Sequence, residues 1–432
     1  AAKPPGAKSR PGAPEPAAVA PEAVLAPEAA PAPEAAAAQA GAVPQGKAAP
    51  ARRREPAESL GRRQREISVA EFFQKNRHLL GFDNPAKALL TATKEAVDNS
   101  LDACEEAGIL PEIAVGIEEL AEDRFRLSIT DNGPGIVRGQ IPKVFGKLLY
   151  GSKFHILRQS RGQQGIGISA AGMYAQLTTG QPIRITSRTG KKRPAHFFEI
   201  QIDTTRNEPK VLTDREVPWD ADHGTRVEMD IAGTYKKGRR SVDDYVVQTA
   251  LANPHATVHY RPPKGDELHR ERLTSELPRE PLAIRPHPYG VELGVLISML
   301  RDTRGRTLRG ALQQDFSRVS AKVAEEICRA AGLSPDVKPR SLGVAQAEAL
   351  FRAIPKVRIM APPTSTIVPI GEALILEGLK QTLKADFYTS TTRPPAVYRG
   401  NPFIVEAGLA YGGELPGEEL IDLWRFANRV PL

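Results

Sequence analysis

Between Ile113 and Ile231 the apolar residues return at every second position in successive stretches: Ile113, Val115 and Ile117; Phe125, Leu127 and Ile129; Ile183 and Ile185; Phe198, Ile200 and Ile202; Val227, Met229 and Ile231. That spacing turns neighbouring side chains to opposite faces, so each stretch is a strand with one apolar side. Apolar strand faces must be covered. Long helices lie between some of them, and a helical stretch around Thr93–Ala103, which Gly108 and Pro111 bring to an end, precedes the first. The pattern predicts a sheet covered by helices on one side, an α+β fold.

The remainder of the 432 residues divides by composition. Residues 1–66 begin with some fifty positions that are almost wholly Ala, Pro, Gly, Glu and Gln, without an aromatic or a periodic apolar face, and are expected to be a disordered tail. Arg52, Arg53, Arg54, Arg62, Arg63 and Arg65 make its end basic, as in a DNA-touching arm or a solvated linker. Recurrent Glu argues against a transit peptide, and the apolar core of a signal peptide is missing. Order is expected from Ile67, with the sheet domain over 67–283. Beyond it, Phe316, Val319, Val323 and Ile327 recur at helical spacing up to Gly332, predicting a helical module over 284–358. A third α/β unit over 359–432 is predicted from strands at Ile367–Ile370, Ala396–Tyr398 and Phe403–Val405 around a helix at Glu372–Leu383.

Cys104 and Cys328 are too few for a disulfide framework and have no zinc-ligand spacing. The longest apolar candidate, Val291–Leu300, is short and interrupted by Glu292 and Ser298, so no membrane span is expected. A formal charge of +8 and a pI near 9.4 favour a polyanionic partner, though the same excess also serves plain solubility.

Chemistry concentrates in three segments. Glu95 and Asn99 lie one helical turn apart and share a face, roughly with Asp98. A carboxylate and a carboxamide so placed can orient a water and hold a magnesium ion, and a solvated polar face would look the same. Asp131-Asn132-Gly133-Pro134-Gly135 follows a strand. There Asp131 can accept from an exocyclic amine while Gly133 and Gly135 let the backbone approach, and the alternative is a tight turn capped by its own Asp. Gly162, Gln163, Gln164, Gly165, Ile166 and Gly167 open a helical run, presenting bare amides suited to phosphate. No Gly-x-x-x-x-Gly-Lys-Ser/Thr occurs, which excludes a P-loop, and no acidic residue stands at the dinucleotide-fold spacing.

Taken in order, Glu95-x-x-x-Asn99-x-x-Asp102-Ala103, Asp131-x-Gly133-x-Gly135, Gly162-x-x-Gly165-x-Gly167 and His223-Gly224-Thr225 resemble the ATPase superfamily of gyrase, heat-shock ninety chaperones, histidine kinases and the mismatch-repair clamp. Glu95–Ala103, Phe145–His155 and Gly165–Tyr174 are similar to signature forms of the B subunit of DNA topoisomerase VI, a type IIB enzyme. The resemblance runs from about residue 67 to the end. It implies a Bergerat-type ATPase sandwich, a helix-two-turns-helix module and a transducer domain.

It also implies roles. Glu95 would be the general base, Asn99 the magnesium ligand, and Asp98 a further residue of the ATP site. Asp131 would read adenine, with Thr225 supporting it through water. Residues 146–169 would form a lid, with Lys153 and Arg161 either reaching the phosphates or lying on its solvated surface. Arg301, Arg304, Arg306 and Arg309 would contact DNA phosphate or merely be solvated. The implied activity is ATP-driven dimerisation that gates passage of a duplex through a break made by a cleavage (A) subunit, in an A2B2 heterotetramer. The implied setting is cytoplasmic and nucleoid-associated in archaea or certain bacteria, or a plant nucleus. The family's switch lysine and its final docking helix have no counterpart here, and Lys356, Lys380 and Lys384 are not in matching context, so slow hydrolysis by this chain alone is expected. The alternatives are a DNA-bridging ATP-dependent clamp and, more remotely, a histidine kinase, whose phosphoacceptor would have to be His78.

Overall fold

The computed structural model describes residues 66–82, 84–151, 159–161, 165–417 and 421–432. The tail with its arginines, Lys153, Gly162, Gln163 and Gln164 therefore lie outside the described residues.

A short helix, α1 (Val69–Lys75), is capped by Ser68, whose Oγ accepts from Glu71 N–H at 3.0 Å. The long α2 (Pro85–Glu106) starts where Asn84 accepts from Ala86 N–H at 2.9 Å and Pro85 occupies the first turn, where its missing N–H is harmless. It ends at Ala107, and Gly108 (φ +70°) takes the left-handed conformation that turns the chain away.

Then come β1 (Glu112–Ala121), β2 (Arg124–Asp131), α3 (Ile141–Gly146), α4 (Gly167–Thr179), β3 (Ile183–Arg188), β4 (Ala195–Asp203), β5 (Glu208–Val217) and β6 (Gly224–Ala232). After α5 (Val242–Ala252) come β7 (Thr257–Arg261) and β8 (Leu268–Arg270). These eight strands form one sheet in the order β5-β4-β3-β6-β2-β1-β7-β8, with β1 and β7 parallel and the other neighbours antiparallel.

The alternating residues read from the sequence are the buried ones. Ile113, Leu127, Ile129, Ile185, Ile200, Met229 and Ile231 pack with Leu89, Ala96 and Leu101 of α2, Met173 of α4 and Val246 of α5. On the opposite face Arg126 and Arg184 both pair with Asp230, at 2.9 and 2.6 Å, so that side is polar. The edge strand β5 escaped the sequence pattern because none of its residues is buried.

Residues 291–359 have a core of their own, with Leu296, Leu300, Leu308, Leu312, Ile327 and Leu350 buried together. It is built by α6 (Leu293–Asp302), α7 (Leu308–Asp315), α8 (Ala321–Ala330) and α9 (Val344–Ala353). The single helix expected through Phe316, Val319, Val323 and Ile327 is corrected. Phe316 ends α7 in an extended conformation, Arg318 is left-handed (φ +60°), and Ser320 caps α8 by accepting from Val323 N–H at 3.3 Å. Phe316 and Val319 are still buried, because the turn folds over the same core.

Finally, α10 (Glu372–Thr382) lays Ile375 and Leu379 against the pair β9 (Phe387–Thr392) and β12 (Glu406–Tyr411), with β10 (Ala396–Tyr398) and β11 (Asn401–Phe403) as a hairpin between them. A last hairpin joins β13 (Phe426–Ala427) to β14 (Val430–Pro431). The strand expected at Ile367–Ile370 does not form. Its amides bond to side chains instead of a ladder: Val368 N–H to Gln159 Oε1, and Ile370 and Gly371 N–H to the Glu406 carboxylate, each at 2.7 Å. The strand expected at Phe403–Val405 is Asn401–Phe403, and Val405 instead accepts from Arg393 N–H at 2.9 Å.

Candidate functional site

Helix α2, the end of β2, the start of α4 and the start of β6 converge. Glu95, Asp98 and Asn99 from α2, Asp131 at the end of β2 and Gly135 after it, Gly165, Ile166 and Gly167 at α4, and Thr225 on β6 all line one cavity of about 960 Å³. Segments far apart in the chain meet there because β2 and β6 are sheet neighbours, with Asp131 opposite Thr225, and α2 and α4 lie over the same sheet face.

Asp131 is the most elaborately held of these groups. Oδ1 accepts from Gly133 N–H at 2.9 Å and from Thr225 N–H at 3.2 Å, while Oδ2 accepts from Ser100 Oγ at 2.9 Å. Burial pushes its carboxyl above the usual range, and those donors with nearby His223 pull against the shift. Three held donors fix the carboxylate's orientation and leave it acceptor capacity toward the cavity. Glycine is required around it for space. A Cβ on Gly135 (φ +71°) would lie 2.0 Å from Arg188 O, and one on Gly224 (φ +139°) 2.2 Å from Asp131 O. Gly133 is set by its own N–H bond to Asp131, and its carbonyl accepts from His223 Nδ1 at 2.8 Å. Thr225 Oγ1 and Ser187 Oγ are 3.0 Å apart, and Ser187 also accepts from Ile136 N–H at 2.8 Å.

Glu95 faces the glycines. A Cβ placed on Gly167 would fall 1.5 Å from Glu95 Oε2, so the carboxylate occupies the space a side chain would fill at the first residue of α4. Burial raises the Glu95 carboxyl, partly offset by Lys94, and this moves it toward the range of a general base working near neutral pH. At the opening of α4, Ile166 offers no side-chain cap, so the first-turn amides face the cavity beside Glu95. Asn99 is exposed on the cavity wall.

Asp98 lies deeper and accepts from Tyr245 Oη at 3.3 Å. Burial carries its carboxyl up to about 7, lowered in part by Arg161 and raised further by Glu95 and Asp102. Arg161 is neither solvated nor free. Its side chain is 5% exposed and bonds Asp102 at 2.7 Å and Glu105 at 2.6 Å.

Ser100, Tyr245 and Ser187 were missed by sequence reasoning. For Ser100 a signal existed: a small polar residue, like Thr93 two turns before it, on the mostly apolar buried face of the helix. For Tyr245 and Ser187 no local signal distinguishes them from ordinary core and strand residues.

The donor set suits a nucleotide. The cavity is of nucleoside-triphosphate size, with a fixed carboxylate at one wall and glycine amides at another. Among the described residues no group of three or more His, Cys, Asp or Glu is placed to hold a metal ion. Asn99, exposed on the cavity wall, has the carboxamide oxygen that could serve a magnesium ion taking most of its ligands from phosphate and water.

The family model described as "Histidine kinase-, DNA gyrase B-, and HSP90-like ATPase" matches residues 84–206, and that described as "Topoisomerase VI B subunit, transducer" matches residues 362–432. The chain is 53% identical over 377 residues to the B subunit of type 2 DNA topoisomerase 6 from Methanosarcina barkeri, covering 87% of this chain and 61% of that one. Its likeness to the Archaeoglobus fulgidus protein of the same name is 50% over 371 residues, covering 86% and 61%. To that of Natronomonas pharaonis it is 35% over 561 residues, covering 87% and 70%. The chain thus spans about 61% of the length of the first two relatives.

Proposed function

The chain belongs to the topoisomerase VI B-subunit family, and from that premise we propose that it binds and hydrolyses ATP to operate the gate of a type IIB DNA topoisomerase. The observation that carries this reading is the meeting of Glu95, Asn99, Asp131 and Gly165–Gly167 in one cavity, with the Glu95 carboxylate against the backbone of Gly167.

When bound, ATP would supply the phosphoanhydride to be cleaved, with magnesium to neutralise the charge of its phosphates. Glu95 takes the proton of the attacking water, a role worth about 10²–10⁴ in rate. Asn99 would offer its carboxamide oxygen to the metal. Asp131, held by Gly133, Ser100 and Thr225, accepts from the adenine amine, and the α4 amides receive phosphate oxygens. Asp98 and Thr225 support the wall. The assignment of Lys153, Gly162, Gln163 and Gln164 to the phosphates rests on the family resemblance alone.

We divide the chain into an ATP-binding domain at 67–283, a helix-two-turns-helix module at 284–358 and a transducer part at 359–432. The separate core of the module supports this division. Two copies close on ATP around a transported duplex, a partner A subunit cuts the DNA within an A2B2 assembly, and hydrolysis resets the gate. In the module Arg301, Arg304 and Arg306 are exposed and suited to DNA phosphate, whereas Arg309 is paired with Glu325 at 2.9 Å and less available. Among the described residues no helix is long and apolar enough to cross a membrane. A nucleoid-associated location follows from the proposed substrate.

Comparing wild type with Glu95→Ala and Asp131→Asn tests the assignment. Glu95→Ala is expected to keep nucleotide affinity and lose turnover, and Asp131→Asn to weaken binding itself. Equal turnover in Glu95→Ala and wild type, measured with DNA and a cleavage subunit present, removes the assigned base.

A further inference from the structure

Two histidines stand side by side at the β7–β8 edge of the sheet. His259 lies between the buried Val258 and Tyr260, so alternation along β7 turns its side chain to the face away from the core. Strand pairing sets His269 of β8 directly opposite it. The ring centroids are 4.3 Å apart, and the two Nδ1 atoms face each other at 2.8 Å.

Each ring has a carboxylate at its other nitrogen. His269 Nε2 and Glu271 Oε1 are 2.5 Å apart, and Glu271 Oε2 accepts from Thr257 Oγ1 at 3.5 Å. Glu112 begins β1, the parallel neighbour of β7, and brings its Oε1 to 3.5 Å from His259 Nε2. A carboxylate only accepts, so each ring is drawn to carry its N–H on Nε2. In neutral rings both Nδ1 atoms are then acceptors, and two lone pairs meet at 2.8 Å. Something positive must lie between them, either a proton or a metal ion.

Charge and donor type favour the metal. Two carboxylates with one added proton leave the four side chains with a net negative charge, whereas a divalent ion makes them neutral. Neutral imidazole suits zinc, copper and nickel, and a carboxylate behind the ring is the arrangement that orients a metal-bound histidine and strengthens it as a donor. Nitrogens that share a zinc ion at about 2.0–2.1 Å each stand about 2.9–3.4 Å from one another, so a small rotation of either ring admits the ion. The two side chains are 42% and 49% exposed, which leaves solvent a way in and room for water as the remaining ligands. None of these four residues lines the cavity that holds Glu95.

We propose that His259 and His269 form a site for one divalent transition-metal ion of the zinc type, ligated by their two Nδ1 atoms and completed by water. Glu112 and Glu271 orient the rings. The bound ion links β8, at the edge of the sheet, to its neighbour β7.

Calorimetric titration of Zn²⁺ into the full chain tests the site, with the protein stripped of metal and carrying no polyhistidine tag. Excess Mg²⁺ and no nucleotide are present, so that sites built from oxygen ligands are already filled. Wild type is expected to take up one ion per chain. His259→Gln and His269→Gln should each weaken that binding by roughly 100-fold or more, and Glu271→Gln, which leaves both ligands in place, by roughly tenfold. All three substitutions are at the surface, and thermal unfolding without metal checks that each variant is folded. Should one histidine variant fail to fold, the other carries the comparison. A wild type without saturable Zn²⁺ binding overturns the proposal and assigns the gap to a proton. Binding that survives in a folded histidine variant overturns it as well, and so does full affinity in Glu271→Gln.

Discussion

At the scale of single residues the site depends on where side chains are missing as much as on where they stand. Gly167 begins α4 in the space beside the Glu95 carboxylate, and a methyl group there would sit 1.5 Å from Oε2. Gly167→Ala must therefore turn Glu95 away from its position. ATP turnover is expected to fall by about 10² or more, the lower bound for losing a general base, with a smaller loss of nucleotide affinity. Steady-state turnover beside equilibrium binding separates the two effects. A variant that loses affinity and turnover in equal proportion would place Gly167 in binding alone.

Elements are joined here by charge as well as by apolar contact. Glu105, on the last turn of α2, receives Arg161 at 2.6 Å and His255 Nε2 at 2.7 Å. Although burial alone would raise its carboxyl, the His255 and Arg161 bonds and charges outweigh it and hold the group down to about 2, from an ordinary 4.5. A depressed carboxyl adds stability that is complete above about 4.5 and is lost as pH falls through about 2. Glu105→Gln is thus expected to lose about 3 kcal/mol at neutral pH, the lower range for breaking a buried pair. Its deficit against wild type should shrink as the pH of the denaturation experiment is lowered from 4.5 toward 2. A deficit independent of pH over that window would mean that shape rather than charge is what Glu105 contributes.

Over the whole molecule the division of apolar burial decides what is coupled to what. Leu350 belongs to the core of 291–359 and is fully buried there, apart from the core beneath the nucleotide cavity. Leu350→Ala should destabilise that module by about 2–5 kcal/mol, the usual range for deleting a buried leucine side chain. Nucleotide affinity should remain within about twofold, since distant sites without shared partners act independently. A comparable loss of affinity would show the two cores to be one cooperative unit, and two-probe unfolding measurements would then coincide.

How much of this was legible in the residues depended on the range of the interaction. The strands under the cavity were readable because alternation is a local consequence of backbone geometry, and the same alternating residues are the buried ones. The convergence of Glu95, Asp131 and Gly167 was readable only through spacing shared with a known family. Absent from any local pattern was β5, whose residues are largely exposed, and the 367–370 segment reads as a strand although its amides found side-chain acceptors far along the chain. Arg161 reads in sequence as one more solvated cation. Its burial against Asp102, Glu105 and Asn253 is set by how α2, α5 and the final hairpin pack together. Local periodicity and turn chemistry are written along the chain, so they determined the elements and the chemical types in the site. Which charges are taken out of water depends on groups that only folding brings within bonding distance, and that was decided in three dimensions.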